Sequence, residues 1–201
     1  MECLQGFFIF TGFAILITYH AFLLWLLRRN PFSTSIGRTR HLLALWTEMI
    51  MTTAQKDILA VQTLRNWTMA ASFLASTAIV IGLGILNLAI TSEGHSKTSQ
   101  LLNLTETINE ELWLIKLILL SLNFFFAFFN FALAVRSYNH ASFMLNVSLS
   151  KHLASETEAL QFVVSTLKRG ANHYTLGMRA YYLAIPLSLW LFGSLWFCCG
   201  A

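Results

Sequence analysis

Charge is scarce in this chain. Asp, Glu, Lys and Arg make up 11% of its 201 residues, against about 25% in a soluble domain. The shortage disfavours a soluble enzyme, a nucleic-acid-binding domain and a disordered regulator. Helix breakers are few as well. There are two prolines, and only Pro186 falls inside a long apolar run. The three cysteines, Cys3, Cys198 and Cys199, have no metal-site spacing. There is no glycine-rich phosphate loop, no nucleophile–histidine–acid spacing, and no carboxylate pair within an apolar run. No enzyme, metal site or cofactor is therefore expected. No internal repeat or low-complexity segment stands out.

What the chain has is hydrophobicity. Apolar residues are 56% of it, and the mean hydropathy is +0.62. Four runs, at 6–27, 67–90, 112–135 and 176–197, reach the length a membrane-crossing helix needs, about 20 residues. The short alternating segments of a membrane β-barrel are absent. The first run has only Glu2 before it, and its basic residues follow it. It reads as an uncleaved helix rather than a signal peptide.

Basic residues orient the runs. Connection 28–66 carries Arg28, Arg29, Arg38, Arg40, Lys56 and Arg65. Connection 136–175 carries Arg136, Lys151, Lys168 and Arg169, with Arg179 just beyond. Connection 91–111 has only Lys97 against Glu93, Glu106, Glu110 and Glu111. By the positive-inside rule the first and third connections are cytoplasmic. The expectation is an all-α integral membrane four-helix bundle, N-out/C-out, as one transmembrane domain of a plasma or inner membrane. Its basic residues flank apolar runs, so its partner is the lipid bilayer and not nucleic acid.

The connections carry helical patterns of their own. Leu42, Leu45, Trp46, Met49 and Ile50 recur at helical spacing within 38–55. Ser155 with Glu158 forms a capping box. Leu160, Val163, Val164 and Leu167 supply a stripe, and Lys168, Arg169 and Gly170 a stop signal. Both segments predict amphipathic helices at the inner membrane face. Leu101, Leu104, Ile108 and Leu112 predict a short surface helix outside. The cysteines are equally compatible with a disulfide from Cys3, with free thiols or with acylation.

Polar residues in apolar runs are informative because lipid makes them costly. Lys116, Asn123, Asn130 and Ser137 follow at seven-residue steps and share one helix face. That strip either lines a solute path or bonds a neighbouring helix. Lys116 can also snorkel outward. Ala71, Ala75, Ala78 and Gly82 form a small-residue packing stripe. The densest polar collection lies at the cytoplasmic boundary: Gln62, Arg65 and Asn66; Arg136, Tyr138, Asn139 and His140; and Asn172, His173, Tyr174 and Arg179. Within it, Arg65, Asn66, Asn139 and Asn172 are expected to form one hydrogen-bonded group. The alternative is ordinary interface anchoring. A bound haem would need His20 and His140 to face each other, as the one pair with any case.

These residues also carry a resemblance. The run Asp57 to Asn66, continuing to Met69-Ala-Ala-Ser72, resembles the hallmark of the DUF599 membrane proteins. So do Arg136-Ser-Tyr138-Asn139-His140 and Gly170-Ala-Asn172-His173-Tyr174, leading to Gly177-Met-Arg179-Ala-Tyr181-Tyr182. The resemblance spans nearly the whole chain. Trp67 departs from it, since the family pattern usually has a small residue there. The family is one of unknown function, so the resemblance implies four helices and no substrate. Two roles stay open: a homo-oligomeric channel-like or small-solute-handling protein, or a structural accessory subunit packing in a larger membrane complex.

Overall fold

The computed structural model describes residues 2–52, 57–91, 110–146 and 156–201. The capping box beginning at Ser155, the surface helix over 101–112 up to its last residues, and the side chain of Cys3 lie outside the described residues. Cys198 and Cys199 are free thiols. The described residues are almost all helical and contain no strand. In chain order they form α1 (Glu2–Arg29), a 3-10 turn (Pro31–Ser33), α2 (Ser35–Thr52), α3 (Asp57–Ile90), α4 (Glu110–Asn146), α5 (Glu156–Leu189), a second 3-10 turn (Trp190–Phe192) and α6 (Ser194–Gly200). Three helices are long and apolar enough to cross a membrane, over Gly6–Arg29, Ile58–Ile90 and Glu111–Leu145.

The helices outrun the apolar segments that predict them. α3 starts at Asp57 instead of residue 67, and α4 continues to Asn146 instead of residue 135. Neither extension contains Gly or Pro, so polarity alone does not end either helix. A helix of 34 to 37 residues is about 50–55 Å long at 1.5 Å per residue. The hydrocarbon core is about 30 Å thick.

Two expectations are corrected in α5. The stop at Lys168-Arg169-Gly170 does not occur, and one helix runs from Glu156 to Leu189. Gly170 is buried inside it and keeps helical geometry; the single positive φ in the described chain belongs to Gly193. The run 176–197 is likewise not one continuous helix. It comprises the end of α5, the 3-10 turn and part of α6. Pro186 lies near the end of α5 and has no N–H to continue its ladder. Gly193, at φ 139° and ψ 163°, then takes a conformation essentially reserved for glycine. α6 returns so closely that a Cβ on Gly200 would lie 3.2 Å from the Cα of Pro186.

The chain divides into two compact units. The first comprises Met1–Leu24, Ser76–Phe128 and Met178–Ala201. Its centre is Phe197, fully buried, stacked on Trp190 at 5.1 Å and tilted against Phe13 at 5.0 Å. Gly12 leaves room for that ring. α3 meets α4 at buried Gly82, whose carbonyl accepts a 2.9 Å bond from Ser121 Oγ. The second unit comprises Trp25–Ala75 and Phe129–Gly177. Its core joins Leu43, Leu64, Ala71, Ala134, Val163 and Leu167 with Tyr138. The small-residue stripe Ala71, Ala75, Ala78 and Gly82 is buried along its length, as a packing surface should be. Much apolar surface stays exposed, including Phe10, Ile17 and Phe22 on α1. Such a surface suits lipid or a protein partner.

Candidate functional site

The four residues of the polar strip each have a place in one of the two units. In the first unit, Asn123 Nδ2 donates to the carbonyl of Ala180 on α5 at 2.8 Å. Lys116 does not snorkel outward. It is 3% exposed, with Nζ 5.4 Å from the centre of the Trp190 ring, where the π face attracts a cation. In the second unit, His173 Nδ1 on α5 donates to Asn130 Oδ1 at 3.1 Å. Ser137 Oγ bonds its own helix at Leu133 O, 2.9 Å away. Both asparagines therefore bond α5, which is the interhelical use of such side chains.

The cytoplasmic collection separates into a packed part and an exposed part. Gln62, Arg65, Asn66, Arg136, Asn139 and His140 are exposed. The expected group of Arg65, Asn66, Asn139 and Asn172 does not form. Asn172 pairs instead with Arg40 of α2: Nε and Nη2 both donate to Asn172 Oδ1, at 3.0 and 2.8 Å. Those residues are 132 apart in the chain. Arg40 wins because α2 packs beside α5, while Arg65, Asn66 and Asn139 turn outward. Arg179 belongs to the first unit, where with Tyr19, His20, Tyr182 and Pro186 it lines a hollow of 280 Å³. His20 Nδ1 donates to Leu16 O at 2.9 Å, while His140 is an exposed residue of the second unit. No group of metal ligands occurs among the described residues.

Tyr138 and Tyr174 meet in a cleft that the sequence reading did not foresee. Helices α2, α3, α4 and α5 of the second unit enclose 460 Å³ between Leu42, Leu43, Trp46, Trp67, Ala70, Tyr138 and Tyr174, with Thr39, Ala171 and Thr175 at one end. Small-molecule sites typically measure about 300–1,000 Å³. Trp67 sits between Trp46 and Tyr138, with both ring-to-ring distances at 5.7 Å. The bulky residue that departs from the family pattern therefore packs as part of the wall. Tyr138 is 5% exposed. A second hollow of 150 Å³ adjoins the cleft, sharing Thr39, Ala171 and Thr175 and adding Ser35, Arg40 and Asn172.

Glycine on α5 makes this arrangement possible. A Cβ on Gly170 would lie 2.7 Å from Tyr138 Cε1, and one on Gly177 would lie 2.7 Å from Phe131 Cε1. Two rings on α4, seven residues apart, thus occupy two glycine gaps on α5, also seven apart, in the opposite order that antiparallel helices require. In the sequence Trp46 falls in the apolar stripe of 38–55 and Arg40 among the basic residues of connection 28–66, and neither is marked there as part of a site. Two tryptophans and an arginine near one predicted boundary were the available signal.

No curated protein and no solved structure matches this chain. One family model does, described as a protein of unknown function, DUF599, over residues 7–201. With nearly its whole length matched, the chain belongs to the DUF599 family.

Proposed function

We propose that this protein is a multi-pass, non-enzymatic membrane protein that takes up an amphiphilic solute in the aromatic cleft of its second unit. In this reading α1, α3 and α4 cross the bilayer as whole helices. The 176–197 segment forms a fourth pass that includes the turn at Gly193. The basic connections lie in the cytoplasm, both termini lie outside, and the membrane is a plasma or inner membrane. The observation that carries the solute reading is the cleft itself: 460 Å³ walled mainly by Leu42, Trp46, Trp67, Tyr138 and Tyr174. Walls that are mainly apolar and aromatic, with a few placed polar groups, are what small-molecule sites have in common.

The bonds from Asn123 and Asn130 to α5 favour this reading over a channel along the polar strip. The accessory-subunit reading keeps one supporting observation, the exposed apolar residues of α1. Self-association is compatible with either. A bromine-labelled alkyl amphiphile titrated into bilayers containing the protein separates them. Tryptophan quenching should include a saturable component that disappears when Trp46 and Trp67 are both changed to Phe. Quenching that rises only in proportion to the amphiphile, identically in both proteins, would leave the accessory reading.

A further inference from the structure

We propose that the small hollow beside the cleft binds the head-group phosphate of an anionic phospholipid, one whose negative charge no head-group cation compensates, with the lipid chain in the cleft; this rests on the solute reading above. The charge of Arg40 is the first argument. Its guanidinium faces a neutral amide, Asn172 Oδ1, and no carboxylate pairs with it among the described residues. Arginine is suited to phosphate because its planar fork matches the oxygens. Asn172 holds that fork by two of its donors, so the remaining donors are oriented before a ligand arrives.

Continuity is the second argument. The hollow around Arg40, Asn172 and Ser35 shares Thr39, Ala171 and Thr175 with the aromatic cleft. A polar compartment thus adjoins an apolar one, the layout of a head group joined to a chain. The surroundings identify the source. Leu42 lines the cleft and also belongs to an exposed apolar row on α2 with Leu45 and Met49. Arg38 and Arg40 are exposed on the same helix. An amphipathic helix with cations and apolar residues both exposed lies at the head-group level of an anionic bilayer.

The test mixes equal amounts of a phosphatidylglycerol and a phosphatidylcholine with detergent-purified full-length protein and counts bound lipid by native mass spectrometry. Wild type should retain the phosphatidylglycerol about tenfold over the phosphatidylcholine, the scale of one charge-assisted contact. Arg40→Gln should bring that ratio close to one while neutral-lipid binding persists, and Arg38→Gln should leave the preference in place. Ala70→Trp, at an exposed position of the cleft wall, should reduce retention of both lipids. An unchanged preference in Arg40→Gln, or its equal loss in Arg38→Gln, overturns the head-group assignment and leaves the cleft reading standing. Undiminished retention in Ala70→Trp overturns the cleft reading and this inference with it. Inorganic phosphate bound in an Arg40-dependent manner, with no lipid retained, overturns the lipid in favour of a soluble anion.

Discussion

Gly170 of α5 and Tyr138 of α4 are in contact so close that any side chain on the glycine would enter the ring, with a Cβ 2.7 Å from Cε1. Alanine is the better helix former by about 1 kcal/mol, yet overpacking costs about 1–3 kcal/mol. Gly170→Ala should therefore lower the thermal midpoint of the purified protein. Adding Tyr138→Leu to Gly170→Ala should recover part of the loss, because the obstructing ring is gone. If Gly170→Ala raised the midpoint instead, the contact would not limit packing.

The Asn130–His173 bond should behave as interhelical glue. Such bonds contribute about 0.6 kcal/mol on average within membranes. Asn130→Leu and His173→Leu should each weaken the fold by a similar small amount, and the double variant by less than their sum. Full additivity in a double-mutant cycle would show that the pair is not coupled. Liposome flux of small ions should be absent in wild type and in Asn130→Leu alike. Flux through wild type that Asn130→Leu closes would restore the channel reading.

Gly193→Ala should be costly for a different reason. The obstacle is the backbone itself, at φ 139°. Residues held in that region cost about 1–3 kcal/mol. The variant should expose Cys198, which is half-buried in wild type, to thiol reagents more quickly. Unchanged labelling, read by mass, would show that α6 keeps its place without glycine.

Topology is checked with single cysteines in a background where Cys3, Cys198 and Cys199 are serine. The distribution of basic residues predicts that a cysteine at Glu48 is protected from an impermeant thiol reagent in intact cells and that one at Ser96 reacts. The reverse pattern would place the Arg40 hollow on the outer side of the membrane.

Legibility followed the range of the interactions. Helical periodicity within 38–55 found α2, because its apolar spacing is local. The apolar runs located α1, α3 and α4 but not their ends, since Asp57 to Asn66 and Arg136 to Leu145 are helix-compatible and polar at once. Gly170 after Lys168 and Arg169 has the local chemistry of a helix end. In the fold it lies mid-helix, and Tyr138, 32 positions earlier and on another helix, takes the space a side chain there would need. The asparagines were readable as glue, although their partners His173 and Ala180 were not. The pairing of Arg40 with Asn172 could not be read at all, because 132 residues separate them and exposed Arg65 and Asn139 have the same chemistry.

The two ring-and-glycine contacts on α4 and α5 also fix the register of those helices within the second unit. Phe131 at Gly177 and Tyr138 at Gly170 are engaged together, so sliding α5 by one turn, about 5.4 Å, would drive both rings into helix backbone at once. On the opposite wall, α2 is held by the Arg40 fork, by Trp46 against Trp67 and by Leu43 in the core. A ligand entering the cleft would meet the donors of Arg40 that Asn172 leaves over, with the Arg40–Asn172 bonds and the α4–α5 contacts in place. The guanidinium that ties α2 to α5 is thus the same group that would meet the ligand.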